Sequence, residues 1–135
     1  MYLLLDMQDE ELINTARETL KKNYHDVRHT VASAVLCSSG RIYTGINLES
    51  VKGPCAEDVA IGTALTNGER EILAIVAVTM ENGQYPVISP CGNCRQLMVI
   101  YAPEAMVIFN NEGEFVKTQA KNLIPGAYIC CRSKD

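Results

Sequence analysis

Apolar side chains at Leu12, Ile13, Ala16, Leu20 and Tyr24 recur at helical spacing between residues 8 and 25, with a polar face behind them. The period then changes. "TVASAVLC" at 30–37 and "RIYTGIN" at 41–47 alternate as strands do, and "SSG" between them supplies the turn of a hairpin. "AEDVAIGTAL" at 56–65 predicts a helix with small residues on one face, ended by Asn67 and Gly68. "ILAIVAVT" at 72–79 is an apolar run of strand length, suited to the middle of a sheet. Beyond "ENGQYP" a helix is predicted from Gly92 to Tyr101, stopped by Pro103. "AMVIFN" at 105–110 predicts another short strand, Asn110 to Gly113 a turn, and 117–124 a last short helix or helical turn before Pro125 and Gly126. Residues 127–131 are a candidate for one more short strand. The order is α-β-β-α-β-α-β-α, with no repeat, low-complexity tract or linker. It predicts one α/β domain over residues 1–135, its sheet covered by helices on both faces.

Composition agrees with that picture and narrows the partners. Of 135 residues, 47% are hydrophobic and 21% charged, enough apolar material for a core and too little charge for disorder. The net charge is −4 and the longest cationic run is Lys21-Lys22. A protein that grips a nucleic-acid backbone needs a positive stripe, so a small molecule is the expected partner and nucleic acid is not. "MYLLLDMQDEEL" lacks a basic leader region, and no stretch has the length of a bilayer span, so a cytoplasmic protein without membrane association is expected. Thiols stay reduced in that compartment. Cys37, Cys55, Cys91, Cys94, Cys130 and Cys131 therefore point to metal binding or catalysis before disulfides.

Cys91 and Cys94 have the two-residue spacing of a zinc half-site, and on a turn entering a helix both sulfurs can face one point. Alone, that spacing also suits a redox pair or half of a structural site. A redox pair belongs after the first strand of its fold, whereas this one lies late in the chain. No second C-x-x-C completes a structural site, and His25 and His29 straddle the predicted end of the first helix. Cys55 supplies a third thiol at the other helix entrance, with Glu57 two residues on. Three thiols and one open position form the arrangement of a catalytic zinc, and Glu57 stands where it can touch a water in that position. The plainer reading of Glu57 is a first-turn acid complementing the helix dipole, as Asp58 also does. Two helix N-termini would aim partial positive charge at the sulfurs, and Arg95 would add a full charge. Cys37 reads as a buried strand residue, Met98 and Met106 as core, and Cys130 and Cys131 as a tail feature without chemistry.

"CAE" followed by "PCGNC" resembles the cytidine deaminase superfamily, whose signature is [H/C]-x-E … P-C-x-x-C. "VASAVLCSSGRIYTGIN" is similar to the first hairpin of the small nucleoside deaminases, and "LIPGAY" matches their tail, so the likeness runs from about residue 12 to 128. The resemblance implies a three-layer α-β-α sandwich with a mixed sheet of about five strands. It implies a zinc-dependent aminohydrolase, a homotetramer that attacks C4 of a free cytosine nucleoside and releases ammonia. Zinc would be held by Cys55, Cys91 and Cys94, and Glu57 would carry protons from water to N3 and the leaving amine. Ala56, Ser89 and Pro90 would lie beside the pyrimidine, Asn47 and Glu49 would contact ribose hydroxyls, and Tyr128 would sit at a neighbouring subunit's pocket. Three departures stand out. His29 occupies the place of a base-stacking Phe, the 50–54 loop is short, and Asp58 stands where an arginine often follows the glutamate. The last leaves Arg95 as the expected support of the thiolates. "GPCAE" and "VASA" are similar to the blasticidin S deaminases, a branch acting on a cytosine-nucleoside antibiotic. The reading leans to that substrate type, with cytidine and deoxycytidine salvage as the alternative. A non-catalytic zinc-stabilised domain is the remote one, and it has no use for Glu57.

Overall fold

The structure, a computed structural model, describes residues 2–129. Its elements are α1 (Met7–Asn23), β1 (Val31–Cys37), β2 (Ile42–Ile46), α2 (Ala56–Thr66), β3 (Ile72–Thr79), α3 (Gly92–Tyr101), β4 (Met106–Asn111), β5 (Glu114–Gln119) and a single 3-10 turn at Ala120–Asn122. The strands form one mixed sheet in the order β2-β1-β3-β4-β5, in which only β3 and β4 run parallel. The parallel step is the one that needs a crossover, and α3 provides it.

Each helix occupies the face that its apolar spacing requires. Leu12, Ile13, Ala16 and Leu20 of α1 pack on Ala32, Ala34, Leu36, Val76, Val78 and Ile108. The other face carries α2 and α3, whose Ala60, Ile61, Ala64, Cys94 and Met98 meet Val35, Cys37, Ile75, Val107 and Val116. Helices on both sides of the sheet make this the expected three-layer α-β-α sandwich. Cys37 is fully buried in that second core, while Met98 is buried and Met106 half-buried.

The N-terminus is anchored by a reciprocal cap. The Asp6 carboxylate accepts the Asp9 backbone N–H at 3.0 Å, and the Asp9 carboxylate accepts that of Asp6 at 2.9 Å. Lys117 of β5 reaches into this cap, with Nζ 2.7 Å from Asp9 and 3.3 Å from Asp6. Burial acts to lower the Lys117 pKa, but bonding and attraction to the two carboxylates outweigh it and hold the ammonium above its ordinary value. Leu3 exchanges both backbone hydrogen bonds with Lys117, at 2.9 and 3.0 Å.

The C-terminal third departs from expectation. The polar stretch 117–124 reads as helical, yet its first three residues belong to β5, and the helical part is only Ala120–Asn122. Glu112 and Gly113 adopt φ of 53° and 97°, the mirror-image turn whose twist suits a two-residue hairpin. That turn sends the chain back along β4 with Val116 and Thr118 buried. The fifth strand is therefore at Glu114–Gln119, and 127–129 form no strand. Cys130 and Cys131 lie outside the described residues. Among those described, no helix is long and apolar enough to cross a membrane.

Candidate metal centre

Cys55 and Cys91 are the N-cap residues of α2 and α3, each with an extended backbone (ψ of 161° and 170°) before the first helical residue. Helix starts leave backbone N–H groups without intrahelical partners and carry partial positive charge. Both entrances open at the same place. Sγ of Cys55 lies 3.7 Å from that of Cys91, which is 3.5 Å from that of Cys94, and all three fall within 4.8 Å of one another. Thiolates bound tetrahedrally at about 2.3 Å from zinc stand about 3.8 Å apart, so this donor set fits such an ion with only small adjustment. Cys94 is fully buried and Cys55 half-buried, while Cys91 is exposed and leaves the cluster open on one side.

The protein's own groups treat the three thiols differently. Burial opposes ionisation of Cys91, yet the backbone N–H of Cys94, the neighbouring thiols and the Asn93 N–H together pull its pKa below the ordinary value. Cys55 is pushed up to about 11, chiefly by burial. Cys94 is raised further by burial and by the charge of Glu57. Glu57, only 4% exposed in the first turn of α2, has its carboxyl held above the usual range by burial, against the pull of its own backbone N–H.

A cavity of about 240 Å³ opens over the sulfurs, and it brings together most of the residues expected at a site. Asn47, Glu49, Ala56, Glu57 and Ser89 line it with the three cysteines. The Asn47 side-chain oxygen is already engaged, accepting the backbone N–H groups of Thr30 and Val31 at 2.8 and 3.0 Å, so its Nδ2 is the group left for a ligand. Ser89 donates its hydroxyl to the Asn110 carbonyl at 2.8 Å.

Other expected residues sit elsewhere. His29 is not in the cavity wall; its Nδ1 is 2.9 Å from the Asn47 carbonyl, which can only accept, so Nδ1 carries a hydrogen and the ring braces Asn47 from behind. Pro90 is buried, and its carbonyl accepts Nε of Arg95 at 2.9 Å. Arg95 also donates to the Leu123 carbonyl at 3.1 Å, so its hydrogen bonds go to backbone oxygens and brace the turn before Cys91. Tyr128 is 72% exposed, outside the cavity, with its carbonyl bonded to the Gln96 side chain.

Sequence reasoning missed two features. Val31, Leu48 and Ile88 give the cavity an apolar wall, and the 48–54 loop is closed on itself by the Leu48 N–H bonding to the Pro54 carbonyl at 3.1 Å. Gly53 permits that closure, since a Cβ there would stand 1.8 Å from the Leu48 oxygen. The second feature is Asp58, whose carboxylate accepts the Cys55 backbone N–H at 3.2 Å. Its position three residues after an N-cap, the spacing of a capping box, was the available signal.

The comparisons with known proteins agree with this geometry. The family model described as "Cytidine and deoxycytidylate deaminase zinc-binding region" matches residues 6–110. The blasticidin-S deaminase of Bacillus cereus is 36% identical over 132 residues, covering 92% of this chain and 94% of that protein. The cytidine deaminase of Sporosarcina psychrophila is 30% identical over 128 residues, with 90% and 92% covered. Among solved structures, the cytidine deaminase of Burkholderia pseudomallei superposes with a TM-score of 0.74 at 32% identity, over 90% of this chain and all of that one. That of Mycobacterium tuberculosis gives 0.75 at 26% identity, over 93% and 100%. With a match of this extent laid over the cysteine cluster and its buried glutamate, the chain belongs to the cytidine and deoxycytidylate deaminase family.

Proposed function

We propose that the protein is a zinc-dependent hydrolase that removes the C4 amino group of a free cytosine nucleoside. The observation carrying this reading is that three sulfurs and a buried carboxylate, from two helix entrances, share one cavity. Cys55, Cys91 and Cys94 would hold the zinc, whose Lewis acidity makes water nucleophilic near neutral pH. In the overall reaction a water oxygen bonds to C4, the C4–N bond breaks, and ammonia leaves with the uracil product. Glu57 carries the protons. Its raised pKa lets it accept one from the attacking water and release it to N3, then serve the leaving amine. The apolar wall of Val31 and Ile88 limits water around the base, Ala56 and Ser89 flank it, and Asn47 Nδ2 and Glu49 face the sugar side.

The substrate proposed first is a blasticidin S-type cytosine nucleoside. Support comes from the 36% identity to the Bacillus cereus enzyme over nearly its full length, and from the compact 48–54 loop with Lys52 at its exposed tip. Cytidine is the second reading, favoured by Glu49 and Asn47, an acceptor and a donor suited to a vicinal diol. A homo-oligomer, expected as a tetramer in the cytoplasm, fits the apolar groove between α2 and α3, where half-buried Leu65, Leu97 and Ile100 line the opening. The deciding experiment follows ultraviolet absorbance with cytidine, deoxycytidine and blasticidin S as substrates. Turnover of blasticidin S supports the first reading. Efficient turnover of cytidine with none of blasticidin S replaces it with the second, and no turnover of any removes both.

A further inference from the structure

Asp58 lies in the first turn of α2, and its carboxylate reaches both helix entrances that carry the sulfurs. Oδ2 accepts the Cys55 backbone N–H at 3.2 Å and lies 3.4 Å from Nδ2 of Asn93. Asn93 sits on α3 between Cys91 and Cys94. Oδ1 is 3.8 Å from Sγ of Cys94. The carboxylate thus joins the single-cysteine entrance to the C-x-x-C entrance at a point beside the Cys94 sulfur.

The helix dipole favours an acid in this first turn, but the charge of the sulfurs beside it does not. Three thiolates around a divalent cation carry a net charge of −1, and a carboxylate beside them adds repulsion. A group selected to stabilise the thiolates would be cationic. What Asp58 offers is an acceptor placed between two donors on two helices, at the cost of that repulsion. We propose that Asp58 is a positioning residue of the metal centre: it clamps α2 to α3 through Asn93 and so sets Cys55 at ligating distance from Cys91 and Cys94. This inference rests on the zinc reading of the cysteine cluster.

Geometry and charge separate cleanly by substitution. Asp58→Asn keeps an oxygen for the clamp and removes the negative charge, whereas Asp58→Ala removes both. The measurement is zinc affinity of the full chain, by competition with a chromophoric chelator at fixed pH. Outer-shell partners of metal ligands contribute about 10- to 100-fold in affinity, and Asp58→Ala is expected to lose that much. Asp58→Asn is expected to bind as tightly as the wild type or more tightly. Asn93→Ala cuts only the bond to α3 and is expected to weaken zinc binding by about threefold or more, with little further loss when added to Asp58→Ala. Wild-type affinity in Asp58→Ala overturns the clamp, as does an Asp58→Asn variant as weak as Asp58→Ala. Should Asp58→Ala fail to fold, Asn93→Ala decides, because unchanged affinity there also overturns the clamp. If the wild-type chain itself takes up no zinc, the metal reading falls and the clamp falls with it. That result is distinct from zinc uptake unaffected by Asp58.

Discussion

Gly45 of β2 and Ala60 of α2 approach so closely that a Cβ on the glycine would stand 2.5 Å from the Ala60 backbone nitrogen. The same atom would lie 2.8 Å from Cβ of Val59 and 2.9 Å from the Ala56 carbonyl oxygen. The first turns of α2, which carry Glu57, therefore rest on bare backbone. Gly45→Ala should push the helix outward, destabilising the fold by about 1–3 kcal/mol as overpacked sites do. Activity should fall further than the lost folded fraction explains, because Glu57 moves with the helix. Denaturant unfolding within 0.5 kcal/mol of wild type would show that α2 steps back without strain.

Cys91→Ser and Cys94→Ser should each lose most of the bound zinc. The hydroxyl that replaces a thiolate is a poor ligand at neutral pH, and only two sulfurs remain. Because ligand binding and folding are linked, the unfolding temperature should drop as well, more for Cys94, which is fully buried. Elemental analysis of the purified variants is the check, and full zinc occupancy in both would remove them from the ligand set.

Glu57→Gln should keep zinc and fold while turnover falls by about 10²–10⁴-fold or more, since the amide fills the same space and cannot carry protons. The separation matters. A glutamate that only complements the helix dipole would leave activity within a factor of a few of wild type, with the loss appearing in stability instead.

Lys117→Met should destabilise the fold by about 3 kcal/mol near neutral pH, because it strands the buried Asp9 carboxylate. The pH dependence follows from two shifts. Lys117 is raised above 10.5, so its contribution is complete at neutral pH and is lost as pH climbs through that raised value. Asp6 is lowered below 3.8, first by the Asp9 backbone N–H and then by Lys117, so the part owed to Lys117 is present above that value and is lost as pH falls through the lower one. The gap between wild type and variant in urea unfolding should be flat from about pH 5 to about pH 9 and close toward both extremes. A gap that varies steeply within that plateau would assign the effect to other groups.

Much of this molecule is legible in its residues, and the exceptions have physical causes. The hairpin, α2, β3 and α3 follow from periodicity and end signals, with boundaries within one or two residues, because each element's local preference agrees with its packing. β5 was hidden because Lys117, Thr118 and Gln119 have no strong alternation of their own. Their strand character comes from pairing with β4 through a turn that places Glu112, a non-glycine, at positive φ. At the candidate site, the meeting of the three cysteines beside Glu57 was legible from spacing, whereas the contacts of His29, Arg95 and Asp58 were not. Those three side chains bond to groups brought close only by the fold: the Asn47 carbonyl, the Leu123 carbonyl and the Asn93 amide.

The pairing of Leu3 with Lys117 bears on how the protein tolerates company. β5 is the last strand of the sheet, and an uncovered outer strand offers free N–H and C=O groups to any passing chain. Leu3 occupies two of those groups at the strand's midpoint, and the charged cap behind it holds the segment in place. Trimming the first six residues would strip this cover and the Asp6 half of the cap together. The resulting surface invites edge-to-edge aggregation, so the lesion would show first in solubility, ahead of any change at the distant sulfurs.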